Sequence, residues 1–550
     1  MNKMETKKRA AFRRHAIAAA ALALGGVGGA SAIEIDTGNP DLTFRWDNTV
    51  RYTLGVRTEG QDNRILSNPG YDESDGKFGR YDIVTNRVDL FTEFDLNYKS
   101  MVGGRLTGAA WYDNAYSNKD VTPFAPAYTT SYYNNTYNST AKRYTTGPSG
   151  ELLDAFVWGN VKLGDVPVNV KVGRHANVWG EGLLMGSHAI SYSQAPLDGT
   201  KASATPGIET KEVFLPIGQV SAKAQVTDAL SIAGQYFYEW ESTRGPHGGT
   251  YLASADTSMQ VDRLWNPQLA AFVPGGVLNR VAPLKPGNTG NWGVNARLNV
   301  EAIESTFGLY YREFDDYTPS GVQTQVPTAS FRFVYPTNIK LYGFSFARVI
   351  GPVSFGSEIS LRKNAALNNT SLADGIGPRG DTIHAVANGI YLLPATKFWD
   401  TGSLVAEVAY NQLRKVTTNA QWYKAEGYAC AAGQDRTFGC STKRFVQVAV
   451  NFTPQYLGIF PSWDLDVPLS VNYGVSGVSP NAGGSSGAAT VMAWSAGARL
   501  TYAAKHEFTL RYADQTADTR YGATGLVSAG RGNIGLTDRG WLSFTYKTGF

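Results

Sequence analysis

The chain has 550 residues, with 50 lysines and arginines against 46 acidic residues, and 12% of its residues are aromatic. This balance leaves no basic surplus that would recognise nucleic acid. Beyond residue 32, no apolar run reaches the roughly 18 residues that a membrane-spanning helix needs.

Residues 1–32 have the pattern of a cleavable secretion signal. Six basic residues between Lys3 and Arg14 precede an apolar core from Ala16 to Leu24, and small residues up to Ala32 form the expected cleavage site. An uncleaved membrane anchor is the alternative, but the apolar core is short and no stop-transfer pattern follows it. Removing this segment, with its six basic residues and one acid, leaves a net charge near −1.

Apolar and polar residues alternate in segments along the remaining chain, as they do in strands with one apolar face. One face of the first segment carries Leu42, Phe44, Trp46, Val50, Tyr52, Leu54 and Val56. Similar segments recur to the C-terminus, and the weakly patterned segment from Thr382 to Leu393 is needed to make their number even. Short connections alternate with long polar ones. The sequence therefore predicts an all-β fold, a transmembrane antiparallel β-barrel of about 18 strands within a range of 16 to 20.

The predicted barrel forms one domain, residues 33–550, with short periplasmic turns, long extracellular loops and both termini in the periplasm. This topology predicts a location in the outer membrane of a Gram-negative bacterium, in contact with membrane lipid and lipopolysaccharide. The first strand begins about ten residues after the signal, which leaves no room for an N-terminal plug. If the lumen is occluded, we therefore expect an inward-folded loop to occlude it, and loops 175–217 and 241–290 are long enough.

The last predicted strand ends on the aromatic residue Phe550, and Phe544 and Tyr546 lie on the same face. A terminal amphipathic strand of this kind is typical of barrels in the outer membrane. We expect these three residues to form the signal that the barrel assembly machinery recognises.

Motifs that would indicate chemistry are weak. Ser485 lies in a G-x-S-x-G pattern and residues 530–535 match G-x-G-x-x-G, but both are in predicted flexible loops without the strand and helix that such sites need. The six histidines show no metal-ligand spacing. Asp72, Glu73 and Asp75 are interpreted as a solvated acidic turn rather than a weak calcium site. The sequence predicts no catalytic residue, metal or cofactor.

Two predicted outer loops carry further features. Cys430 and Cys440 are the only cysteines, and export to an oxidising compartment predicts a disulfide between them, with free thiols or metal ligation as alternatives. The second long loop contains Tyr128, Tyr132, Tyr133 and Tyr137. It is interpreted as a solvent-facing loop, with contact to glycans or an apolar ligand as the alternative.

The most distinctive stretch, residues 172–182, contains Arg174, Trp179 and Glu181 where a strand enters a long segment. A charge that faces lipid is costly, so Arg174 and Glu181 are expected to point inward or into a folded loop, where they can form a charge-assisted hydrogen bond. Such a bond either pins the loop to the wall or forms part of a constriction. The candidates for a constriction or binding site are Arg174, Trp179, Glu181, Glu209, Lys211 and Glu212.

The same stretch carries a family resemblance. The chain resembles the proteobacterial outer-membrane family catalogued as domain of unknown function 1302. The residues that carry the resemblance are Gly173-Arg174, Trp179-Gly180-Glu181 and the segments 209–216, 238–241, 340–347 and 464–469. The resemblance implies traffic of hydrophobic compounds such as lipids, steroids or aromatic molecules. It also implies a periplasmic or lipoprotein carrier and an inner-membrane resistance-nodulation-division permease as partners, and it carries over no catalytic residue.

The sequence therefore favours a channel or conduit for a hydrophobic or amphipathic small molecule, and not an enzyme. A general porin for hydrophilic solutes is one alternative. A lipase-like outer-membrane enzyme, with Ser485 as its only motif-level nucleophile, and a structural or adhesive barrel are the others.

Overall fold

A computed structural model describes residues 33–550 as one closed antiparallel β-barrel. The predicted secretion signal, residues 1–32, lies outside the described residues. The barrel closes by pairing of its last strand with its first, from Thr49 opposite Gly549 to Arg57 opposite Trp541. The predicted fold class and the predicted number of 18 strands are confirmed.

Eighteen strands form the barrel. They are β1 (Leu42–Arg57), β2 (Ile83–Tyr98), β3 (Val102–Asp113), β4 (Ser149–Leu163), β5 (Val166–His175), β6 (Ile217–Gln225), β7 (Leu230–Phe237), β8 (Trp292–Val300), β9 (Ser305–Phe314), β10 (Ile339–Ile350), β11 (Val353–Ala366), β12 (Arg379–Leu392), β13 (Thr401–Thr418), β14 (Arg444–Phe460), β15 (Trp463–Asp466 and Leu469–Ser476), β16 (Met492–Tyr502), β17 (His506–Thr516) and β18 (Trp541–Gly549). Strand β15 is split at Pro468 because proline has no N–H to give to the ladder.

Smaller elements lie before the barrel and in its loops. Ile33–Ile35 pairs with the start of β1. The loops contain a four-stranded sheet (Arg263–Trp265, Val277–Arg280, Gly321–Gln325 and Ser330–Val334) and a two-stranded one (Thr519–Tyr521 and Val527–Gly530). They also contain the short α-helices Asn63–Leu66, Asp72–Gly76, Ser139–Ala141, Gly199–Ala204 and Thr210–Val213. Within residues 33–550, no helix is long and apolar enough to cross a membrane.

The wall is apolar outside and polar inside. Leu90, Leu309 and Ile359 are 39%, 62% and 49% exposed on the outer face. Arg51 and Arg87 face inward and are almost fully buried. This arrangement is the inverse of a soluble protein, and it follows from the alternation in the sequence because the outer face contacts lipid.

Connections at the two ends of the barrel differ in length. Short turns such as residues 351–352 and 461–462 lie at one end, whereas the long loops 176–216 and 238–291 lie at the other. The weakly patterned segment from Thr382 to Leu393 is a strand, β12, as predicted. Both ends of the described chain lie at the end with the short turns.

The long loops pack into a core of their own over the barrel mouth. Tyr132 and Tyr137 are almost fully buried, and their hydroxyls donate to the carbonyls of Gly248 at 2.7 Å and Gly249 at 2.5 Å. The interpretation of the tyrosine-rich loop as solvent-facing is therefore wrong for Tyr132 and Tyr137, whereas Tyr133 is 49% exposed. Loop 238–291 covers Tyr132 and Tyr137, and a polar local composition gives no indication of that packing.

The acidic turn belongs to the same core and is not solvated, which corrects the sequence interpretation. Asp72, Glu73 and Asp75 are all almost fully buried. Asp75 binds Arg57 at 2.8 Å, a partner from the end of β1. Burial, together with the neighbouring Asp256, raises the pKa of Asp72 to about 7. Each carboxylate is held by groups from other segments, so local sequence does not reveal its burial.

Candidate functional site

The loop between β5 and β6, residues 176–216, folds into the barrel. It lies within one of the two segments that the sequence offers as an occluding loop. Glu407 of β13 holds its tip. The Glu407 carboxylate accepts the backbone N–H groups of Leu183, Leu184 and Met185 at 2.6, 3.0 and 2.5 Å. Hydrogen bonds to a charged acceptor are stronger than neutral ones, so this carboxylate fixes the position of the tip.

A second carboxylate on the same side of the wall holds the segments before and after the tip. Glu358 of β11 accepts the backbone N–H of Glu181 at 2.7 Å and that of Ile190 at 2.5 Å. The Glu181 side chain binds Arg297 of β8 at 2.8 Å, and its carbonyl accepts a hydrogen bond from Asn388 of β12 at 2.6 Å. Three strands of the wall, β8, β11 and β12, therefore meet in one network around residue 181.

Two buried arginines complete this attachment by binding backbone carbonyls of the loop. Arg312 of β9 donates to the carbonyls of Ile190, Tyr192 and Ser193 at 2.8, 2.7 and 2.7 Å. Arg362 of β11 donates to the carbonyls of Ser187 and Ala189 at 3.0 and 2.9 Å. The planar guanidinium group with its five N–H donors suits this role.

The far end of the loop binds the opposite side of the wall. Glu212 accepts two hydrogen bonds from Arg51 of β1, at 2.8 and 3.3 Å. Glu209 binds Lys547 of β18 at 2.8 Å, and Lys211 lies 3.6 Å from Glu209. Because ion pairs hold the loop to both sides of the barrel, it crosses the lumen rather than lining one wall.

Five of the six sequence candidates lie on this loop: Trp179, Glu181, Glu209, Lys211 and Glu212. Arg174 does not. It binds Glu239 at 2.7 Å and the carbonyl of Pro216 at 3.1 Å, on the strand face that it shares with the outward-facing Val172. The expected contact between Arg174 and Glu181 is therefore not formed, because each residue has a nearer partner of opposite charge.

Sequence reasoning missed the wall residues that hold the loop: Arg312, Glu358, Arg362 and Glu407. Each is a charge at an inward position of a strand, and that signal was present in the alternation. A strand pattern, however, shows only that a charge faces inward. It does not show which segment of a distant loop meets it.

The inward face of β14–β17 is more open than the wall that holds the loop. It carries small polar residues that remain partly exposed, namely Gln447, Asn451, Ser470, Asn472, Thr509 and Gln515. Inward residues of β9–β13, such as Tyr310, His384 and Glu407, are in contrast at most 4% exposed. Solvent therefore reaches the lumen along β14–β17.

Two arginines face this open side. Arg499 binds Asp466 at 2.6 Å, so its charge is paired. Arg511 lies opposite Gly497 and Ser543 of the neighbouring strands, and within residues 33–550 it has no carboxylate partner. The polar wall therefore presents one uncompensated positive charge to the lumen.

The remaining motifs have structural roles. Ser485 is buried, donates to the Ser187 carbonyl at 2.8 Å and accepts from Arg362 at 3.0 Å, so the interpretation of its segment as a flexible surface loop is wrong. Among the described residues, no histidine or acid hydrogen-bonds to Ser485. Cys430 and Cys440 form the predicted disulfide, with Cα atoms 6.1 Å apart.

One group of carboxylates has the spacing of a metal site. The ligand atoms of Asp47, Glu93 and Asp95 lie within 4.8 Å of one another. Arg105 binds Asp95 at 2.8 Å and lies 3.4 Å from Glu93, and Arg45 lies 3.9 Å from Asp47. Because arginines already balance these charges, we interpret the group as an ion-pair network.

A family model described as "Protein of unknown function (DUF1302)" matches residues 13–550. The chain belongs to the DUF1302 family. A search of curated proteins finds no match for this DUF1302 protein.

Among solved structures, the DUF1302 chain is similar to OpdK of Pseudomonas aeruginosa with vanillate, at 9% identity and a TM-score of 0.39 over 92% of this chain and 99% of that one. It is also similar to OccAB4 of Acinetobacter baumannii, at 8% identity and a TM-score of 0.41 over 93% and 100%.

Proposed function

We propose that this protein is an outer-membrane channel for small polar solutes, that it prefers anions, and that its passage runs along β14–β17. The observation that carries the proposal is the partly exposed polar face of these strands beside a loop that crosses the lumen. A loop bound to both walls narrows the passage, and small polar side chains let hydrated solutes pass.

The preference for anions rests on Arg511. Its guanidinium stays protonated at any physiological pH, and no described carboxylate neutralises it. A fixed positive charge in a narrow, partly desolvated passage raises the local concentration of anions and lowers that of cations.

The test is the reversal potential of single channels in planar bilayers under a KCl gradient. The wild type should be anion-selective, and R511A should lose most of this selectivity. K223Q removes an inward-facing lysine from β6 on the far wall and should change the reversal potential much less. Cation selectivity in the wild type, or equal effects of R511A and K223Q, would contradict the proposal.

The hydrophobic cargo, the periplasmic carrier and the inner-membrane permease that the family resemblance implies stay predictions. The accessible inward face of β14–β17 is polar, so the described wall gives a hydrophobic cargo no support. Growth of a deletion strain on hydrophobic carbon sources, compared with growth on small organic acids, distinguishes the two substrate classes.

A further inference from the structure

The outer wall of β7–β13 has a concavity on its lipid-facing side. It has a volume of about 650 Å³, and its apolar lining includes the outward-facing residues Val294, Leu309, Tyr342, Phe344 and Ile359. An adjoining hollow of about 350 Å³ shares Phe344 and Ile359 and extends over Ala385 and Ala387. The hollow forms because small side chains lie between larger ones. Because it lies on the outside of the barrel, it faces the membrane.

The loop-side edge of this concavity carries a group of charges that we call the basic rim: Lys340, Lys363, Arg414 and Lys415 with Glu313 and Asp381. Lys340 binds Glu313 at 2.9 Å and Lys415 lies 3.6 Å from Asp381. Lys363 and Arg414 have no carboxylate partner among the described residues. The basic rim therefore has an excess of two positive charges directly beside an apolar surface.

The pairing of strands makes this excess unfavourable for the protein alone. Lys340 and Lys363 lie directly opposite each other across β10 and β11. Like charges in such cross-strand positions destabilise a sheet, so an anion placed between them would offset the repulsion. The Lys363 ammonium also lies 5.5 Å from the centre of the Tyr342 ring, and tyrosines of this kind mark the level of lipid headgroups.

The rest of the wall differs at the same level. On β2 and β3 the corresponding outward positions hold Asn86 and Tyr112, which bond to Tyr52 and Asn114. On β17 the position holds Asp514, a residue of opposite charge. These three positions carry no cation, whereas the basic rim on β9–β13 carries an excess of two positive charges above the apolar concavity.

We propose that the concavity and the basic rim bind the lipid A part of lipopolysaccharide, with its phosphates on Lys363, Arg414 and Lys340 and acyl chains in the concavity. This ligand combines phosphate groups with several acyl chains, which matches both halves of the surface. The choice of lipid A over a phospholipid rests on the proposed outer-membrane location with the long loops outside, because the basic rim then lies in the outer leaflet.

The test is native mass spectrometry of the full barrel extracted from outer membranes in a mild detergent. The wild type should retain lipid A at one copy per barrel, and K363Q/R414Q should retain at least tenfold less. The control K99Q/K505Q removes two lysines at the end with the short turns and should retain lipid A like the wild type. A385L fills the hollow without a change of charge and should also reduce retention.

Three results would overturn the inference: absence of lipid A from the wild type, equal retention by K363Q/R414Q and the wild type, or equally tight binding of purified phosphatidylglycerol and lipid A to delipidated wild type. Heat-modifiable migration on gels shows which variants fold. If K363Q/R414Q does not fold, A385L provides the test. Conductance measured on the same samples separates this inference from the channel, because none of these substitutions lies in the lumen. Absence of lipid A beside an anion-selective conductance would refute the lipid site alone.

Discussion

The tip of the loop across the lumen can be loosened by one substitution, Glu407→Ala. The two carboxylate oxygens of Glu407 accept the backbone N–H groups of Leu183, Leu184 and Met185, and truncation removes the acceptor of all three hydrogen bonds together. Each hydrogen bond to a carboxylate contributes about 1.5 kcal/mol at the low end of the usual range, which applies because lumenal water can replace the lost acceptor. The tip is then held less tightly by roughly 4.5 kcal/mol.

This loss shifts the balance between an attached and a detached tip by about a thousandfold, since each 1.4 kcal/mol corresponds to a factor of ten. Met185 remains packed against Val386 and Ala449, so the tip should move in and out rather than leave the lumen. We therefore expect a larger mean single-channel conductance and more open-channel noise in E407A. E407Q keeps one carbonyl oxygen as an acceptor and should show about half of the effect on the free energy.

The assay is single-channel recording in planar bilayers at fixed voltage, on protein whose folding is checked by heat-modifiable migration. D95A is the matched control, because Asp95 also faces inward but binds Arg105 of the wall rather than the loop. It should conduct like the wild type. The reasoning is refuted if folded E407A shows the conductance and noise of the wild type, because the loop would then not be what narrows the passage.

Three further predictions concern the loops. Burial and the neighbouring Asp256 raise the pKa of Asp72, so the folded loops favour its protonated form and their stability falls as the pH rises from about 4 to 7. D72N should weaken this pH dependence, measured by amide hydrogen exchange of the loops at pH 5 and 8. An equal pH dependence in D72N and the wild type would contradict the prediction. Reduction of the Cys430–Cys440 disulfide should lower the stability of its loop by on the order of 3 kcal/mol, seen as faster exchange there with unchanged conductance. Ser485 should not react with a serine-directed covalent probe, because it is buried and bound to loop and wall groups; stoichiometric labelling would instead favour an enzyme.

Much of the fold was predictable because it depends on local periodicity. Alternation over each strand follows from having lipid on one face and lumen on the other, and short and long connections separate the two ends of the barrel. Even strand β12, whose alternation is weak, was predicted because the number of barrel strands has to be even. Loop 176–216 lies within one of two segments that were long enough to fold inward, but the sequence did not decide between them.

The candidate site was only partly predictable. Trp179, Glu181, Glu209, Lys211 and Glu212 lie on the lumen-crossing loop as a group. The ion-pair partner expected from nearby sequence was wrong, because a charged residue in the lumen pairs with an inward charge that the closed wall brings near. Glu181 therefore binds Arg297 rather than a neighbour in its own segment.

The sequence by itself determined the barrel, its approximate number of strands and the disulfide. These features depend on residues that are near in the chain or on the repetition of one pattern. Only the tertiary structure decided which charges hold the loop, which acids are buried and where the wall stays open. Those features join residues such as Arg51 and Glu212, 161 positions apart, or Glu407 and Leu183, 224 apart. Closure of the barrel brings such residues together, and no local pattern records it.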